Sequence, residues 1–199
     1  MRKIVPLFLA GVFLFLAAGQ GVSYARQKKN LYAVLSEQEK VRTFVGDILD
    51  ASGETSGYAV SLKKILEDNL AARMTINFEL VSDRQNADIV INCKVLDRKW
   101  GEHDPLDIIH TISSALTDVS SSENYARMEA LFTVERGARK EIFRKAHRIV
   151  GRGKVLWQDE VLATITREDM SEEQSLPLLE ERLVKVFMRR CFGRNADLE

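Results

Sequence analysis

The sequence predicts an α+β fold, a mixed sheet of about five strands with two long helices packed on a single face. Two observations predict it. Apolar and polar residues alternate with a period of two in several segments, most strictly where Ala126, Met128, Ala130, Phe132 and Val134 interleave with Arg127, Glu129, Thr133 and Glu135. Two longer segments instead carry apolar residues at helical spacing: Leu62, Ile65, Leu66 and Leu70, and Leu179, Leu183, Val186, Phe187 and Cys191. The resulting order is β-α-β-β-(short α)-β-β-α, with no internal repeat and no domain-splitting linker.

The elements follow in chain order. Residues 1–25 have three parts: a positive start at Arg2 and Lys3, an apolar run from Ile4 to Ala18, and a small, polar end with Ser23 and Ala25 at the −3 and −1 positions of a cleavage site. The apolar run is 15 residues, short of the roughly 20 that cross a bilayer core as a helix. A cleaved secretory signal is therefore expected, with the exported protein beginning at Arg26. No cysteine follows the apolar run, so lipid attachment there is not expected. Residues 26–40 read as an amino-terminal arm around an apolar patch, Leu31 to Leu35, and 41–193 as a single domain. Val41 to Ile48 is the first strand, and the Ser- and Gly-rich Ala51 to Gly57 turns the chain into a helix from about Tyr58 to Arg73.

Two strands come next, Asn77 to Val81 and the long Ala87 to Trp100, with a turn at Asp83 to Asn86. Ile89, Ile91, Cys93 and Val95 share one face of the long strand, and Val90, Asn92, Lys94 and Leu96 the other. Asp104 and Pro105 suit the start of a short helix from Leu106 to about Leu116. Its stripe of Ile108, Ile109, Ile112 and Leu116 either covers the sheet's second face or meets a partner protein. After the polar loop Thr117 to Asn124 come strands Tyr125 to Glu135 and Val155 to Thr166. The final helix is expected to be capped by Ser175, with Pro177 in its first turn, and to end at Gly193 before a tail of residues 194–199.

Composition narrows the function. The chain has 29 basic and 29 acidic side chains, a balance that argues against a general nucleic-acid binder. Of the two cysteines, Cys93 lies on the strand face that should carry the helices and Cys191 on the inner side of the last helix. In an oxidising compartment they are candidates for a disulfide, or for burial side by side. The two sulfurs would approach through the same core.

The segments VRTFVGDILDASGETSGYAVSLKKILEDNLAAR, FELVSDRQNADIVINCKVLDRKW, ARMEALFTVE and GKVLWQDEVLATIT resemble a group of small bacterial envelope domains. The group includes the lipopolysaccharide-assembly lipoproteins, the amino-terminal domain of the Tol-Pal system's periplasmic protein, and the curli-secretion-type lipoproteins. Ala87 and Asp88 opening a long strand, and Gly153, Lys154 and Trp157 opening the last one, look most like the lipopolysaccharide-assembly family. The likeness runs from about Val41 to Phe192. It implies a non-enzymatic, periplasmic accessory protein of envelope assembly, with no cofactor and an outer-membrane or other envelope protein as partner. The chain departs from the pattern in lacking a lipobox cysteine and in having longer segments at Glu102–Asn124 and Gly137–Gly153.

Arg136 to Lys154 is the most informative polar feature, with eight Lys or Arg residues and one acidic residue, Glu141. Such clustering is relieved by an anionic partner, and guanidinium forks match phosphate oxygens. Arg139, Lys140, Arg144, Lys145, Arg148, Arg152 and Lys154 are thus the candidate ligands for lipopolysaccharide or an acidic phospholipid. The alternative is a solvated connector, and Ile142, Phe143, Ile149 and Val150 require that part of the stretch pack against the domain. His103, Asp104, Asp107 and His110 cluster in sequence, but they read better as a polar capping turn than as a metal site. No Gly-x-Ser-x-Gly elbow is present and neither cysteine has a histidine beside it, so a catalytic nucleophile is not expected. A protein-binding regulator of a cell-wall enzyme or secretion pore, and an unrecognised hydrolase, are the alternative functions.

Overall fold

The computed structural model describes residues 31–51, 59–101, 123–139, 141–144, 153–168 and 171–193. The strands are β1 (Val41–Leu49), β2 (Phe78–Leu80), β3 (Ile89–Gly101), β4 (Glu123–Arg136) and β5 (Val155–Glu168), and the long helices are α1 (Ala59–Ala71) and α2 (Glu172–Phe192). They form one mixed sheet in the order β2-β1-β3-β4-β5. β1 runs parallel to both β2 and β3, and β4 is antiparallel to β3 and β5. The expected α+β architecture is the one found. The secretory signal, the histidine cluster, the short helix after Pro105 and the tail lie outside the described residues.

Both helices bury their apolar sides on one face of the sheet. Leu62, Leu66 and Leu70 of α1 share a core with Ile89, Ile91, Cys93 and Val95 of β3 and with Leu179, Leu183 and Phe187 of α2. At its centre Phe187 stacks on Phe132 of β4, ring centroids 4.3 Å apart, and meets Trp157 at 5.5 Å and Phe192 at 5.7 Å. Offset stacks and edge contacts of this kind add to the burial of the rings themselves.

Residues 31–36, part of the expected arm, are helical, and Leu31, Val34 and Leu35 are buried in the same core. Their i, i+3, i+4 spacing makes a small apolar face that the domain covers. The start of α2 also differs from the sequence reading. Ser171, not Ser175, is the cap: its hydroxyl accepts from Gln174 N, and the Gln174 side chain accepts from Ser171 N. This reciprocal box satisfies two donors that the first turn leaves open. Ser175 sits inside the helix and donates to the Glu172 carbonyl. Pro177 is then an interior residue, and its missing N–H forgoes a bond to the Glu173 carbonyl. Gly193 closes the helix at φ 85°, a conformation that favours glycine.

The expected disulfide is absent. Cys93 and Cys191 are both buried and form no bridge. The reason is the register of α2. Cys93 pairs across the ladder with Phe132, and Phe132 lies beneath Phe187. The middle of the sheet is thus filled by the ring one turn before Cys191, whose own position is about 6 Å further along the helix. Next to it, Phe192 packs on Phe78 of β2 at 5.2 Å, and the Arg73 guanidinium donates to the Phe192 carbonyl at 2.6 Å. Both cysteines lie in the shared core, as expected, without a bond between them.

Candidate functional site

At one end of the sheet the entry to β3 meets the chain leaving β4. Gly137 N donates to the Asp88 carbonyl at 2.8 Å and Arg139 N to the Ala87 carbonyl at 3.1 Å. Position 137 must be glycine for this approach, because a Cβ there would overlap the Ala87 backbone. The buried Asp88 carboxylate accepts from Arg42 N at 2.9 Å and faces Arg139 Nε at 3.7 Å. Ala87 and Asp88 therefore tie together the starts of β1 and β3 and the chain beyond β4.

The described part of the basic stretch is built on this junction. Glu135 lies between Arg84 Nη2 and Lys154 Nζ, each 3.1 Å away. Arg136 donates to the Gly153 carbonyl at 2.8 Å, and its guanidinium lies 4.8 Å from the centroid of Phe143. Phe143 belongs to a four-residue helix, Glu141–Arg144, and its ring is fully buried in the core with Ile142 packed beside it. Both apolar residues pack as the sequence required.

Of the seven candidate anion ligands, the structure brings Arg139 and Lys154 to this end, each facing a carboxylate. Arg144 is placed by its backbone in the short helix. Lys140, Lys145, Arg148 and Arg152 lie outside the described residues.

A second polar feature, unmarked in the sequence reading, joins the two helices. Glu180 of α2 is 1% exposed and accepts from Ser61 Oγ of α1 at 2.7 Å through Oε2. Its Oε1 has no hydrogen-bond partner among the described residues. Burial pushes the carboxyl above its usual range, while the Ser61 bond and the charge of Arg98 draw it back in part. The signal was present: Glu180, Leu183, Val184 and Phe187 share the inner side of α2.

Along the outer edge of the sheet, an open cleft of about 370 Å³ separates β5 from α2, lined by Ile165, Thr166, Leu178, Glu181, Arg182 and Lys185. Among the described residues there is no grouping of three or more His, Cys, Asp or Glu that could hold a metal ion. No described helix is long and apolar enough to cross a membrane.

No protein-family model matches the chain, and no curated protein matches it. Solved structures do match. The hypothetical protein CT253 from Chlamydia trachomatis aligns with a TM-score of 0.50 at 10% identity, over 79% of this chain and 98% of that one. A PelC dodecamer from Paraburkholderia phytofirmans gives 0.44 at 16% identity, over 77% and 89%. A minor lipoprotein from Acinetobacter baumannii gives 0.43 at 12% identity, over 76% and 90%. At such identities a likeness is one of fold, and the α+β fold shared with CT253 is what it establishes.

Proposed function

We propose that this chain is an exported, non-enzymatic accessory protein of bacterial envelope assembly. It works in the periplasm, where the basic stretch engages lipopolysaccharide or an acidic phospholipid beside an outer-membrane or other envelope partner. The observation that carries this reading is the anchoring of the stretch. Phe143, buried beneath Arg136, fixes the short helix Glu141–Arg144 to the core. Asp88 and Glu135 face Arg139 and Lys154, and the sequence carries five more basic residues in the same stretch, Lys140, Arg144, Lys145, Arg148 and Arg152. The secretory start of the sequence supplies the compartment.

Flotation with vesicles of phosphatidylglycerol, and separately with lipopolysaccharide, tests this over a salt series. Binding that weakens with salt and with charge reversal at Arg144, Lys145 and Arg148 is expected. Failure to bind at low salt would remove the anionic-ligand reading. A second reading, a regulator acting only through protein contacts, is favoured by the carboxylates opposite Arg139 and Lys154. It predicts partner capture that the same charge reversals leave intact.

A further inference from the structure

We infer that a second copy of this chain binds along β5, the two strands pairing antiparallel about a two-fold axis at Leu162. The sheet's two edges are unlike. β2 is three residues long, whereas β5 has 14, contains neither Gly nor Pro, and runs without a bulge from Trp157 to Glu168. Among the described residues only β4 pairs with it. Long, unbroken edges of this kind are templates for a further strand.

The ladder fixes which backbone groups point away from β4. Gly137 N bonds to the Asp88 carbonyl. Alternation along the antiparallel registers then points the backbone groups of Asp159, Val161 and Ala163 at β4 and those of Glu160, Leu162 and Thr164 outward. Arg190 Nη1 donates to the Glu160 carbonyl at 3.0 Å, in keeping with that direction.

Side chains select the occupant and the register. A two-fold axis at Glu160 would set two carboxylates face to face. One at Leu162 instead places Leu162, 41% exposed in the single chain, against its own copy and Glu160 opposite Thr164. On the helix side the same axis brings Asp159 of one copy opposite Ile165 of the other, at the cleft that holds Glu181, Arg182 and Lys185. Arg190, 3.2 Å from Asp159, arrives with it. Asp159 thereby meets Arg182 and Lys185, Arg190 meets Glu181, and the symmetry makes each match twice. The two copies of α2 run antiparallel, with Glu172 and Glu173 in the first turn and Arg189 and Arg190 in the last.

Light scattering on the exported chain over a concentration series tests the pairing, together with two variants and an engineered cross-link. The wild type is expected to reach a two-chain mass. Thr164→Pro removes an outward N–H that β4 does not use and is expected to stay folded by circular dichroism as a single chain. Leu162→Lys sets like charges on the axis and is expected to do the same without touching the backbone. Leu162→Cys is expected to cross-link into a covalent dimer on mild oxidation, while Glu173→Cys is not. A single-chain mass at every concentration would overturn the inference. So would a two-chain mass that survives both Leu162→Lys and folded Thr164→Pro, or a Leu162→Cys chain that does not cross-link.

Discussion

Replacing Phe187 by Ala removes the side chain that sets the position of α2 on the sheet. The ring is fully buried, and losing it forfeits a transfer free energy of about 2–3 kcal/mol. Its stack on Phe132 and its contacts with Trp157 and Phe192 contribute roughly 0.5–1.5 kcal/mol for each ring pair. The neighbours are themselves held by the sheet and recover only part of this. The expected loss is about 4 kcal/mol, inside the usual range for a buried Phe→Ala change. That is a large share of the roughly 5–15 kcal/mol by which most domains are stable. Urea unfolding followed by tryptophan fluorescence and by far-ultraviolet circular dichroism measures it, Trp157 reporting on the site itself. Val186→Ala, beside it but only half-buried, is expected to cost about 1 kcal/mol or less. Equal losses from the two variants would refute the placement of Phe187 at the centre of the core.

Three further outcomes follow from the geometry. Glu180 has a raised folded-state pKa, so the stability of its neutral form is fully present below the ordinary carboxyl range and is lost as pH rises through the folded value. Glu180→Gln should therefore stabilise the protein at neutral pH by about 1 kcal/mol or more, and hardly at all in acid, in urea titrations at the two pH values. A wild type whose stability grows from acid to neutral pH at this site, with Glu180→Gln less stable, would contradict the burial argument. Gly137→Ala forces the chain away from Ala87 and is expected to cost about 2 kcal/mol; an unchanged melting temperature would show that the junction can move. Burial pushes the Cys93 thiol up to about 12, so iodoacetamide at neutral pH should leave it unmodified in the native protein. Both cysteines should then alkylate in denaturant without reductant, and a chain that takes up no label under those conditions contains the bridge.

Much of the fold was legible because burial on one side of a sheet imposes strict alternation. The Ala126 to Val134 pattern became β4 with its even-numbered residues on the core face. Local irregularities were not legible. The bulge between Val45 and Ile48 brings two residues three apart onto the buried face, which a period of two does not anticipate. Ser171 and Gln174 have the spacing of a capping box, but Ser175 and Pro177 offer a competing helix start in the sequence. The disulfide is absent, and Phe187 of α2 lies over Phe132, the ladder partner of Cys93, a placement that spacing along one helix does not encode. In the candidate site, Phe143 was rightly expected to pack. The carboxylates facing Arg139 and Lys154 come from Asp88 and Glu135, and only the strand register brings them there.

Whether the chain acts outside the cytoplasm is tested by the mass of the protein recovered from the periplasmic fraction. Expression of the full sequence should yield a soluble periplasmic species whose intact mass corresponds to a chain starting at Arg26. A product that retains Met1 to Ala18, or one confined to the cytoplasm, would contradict export through a cleaved signal.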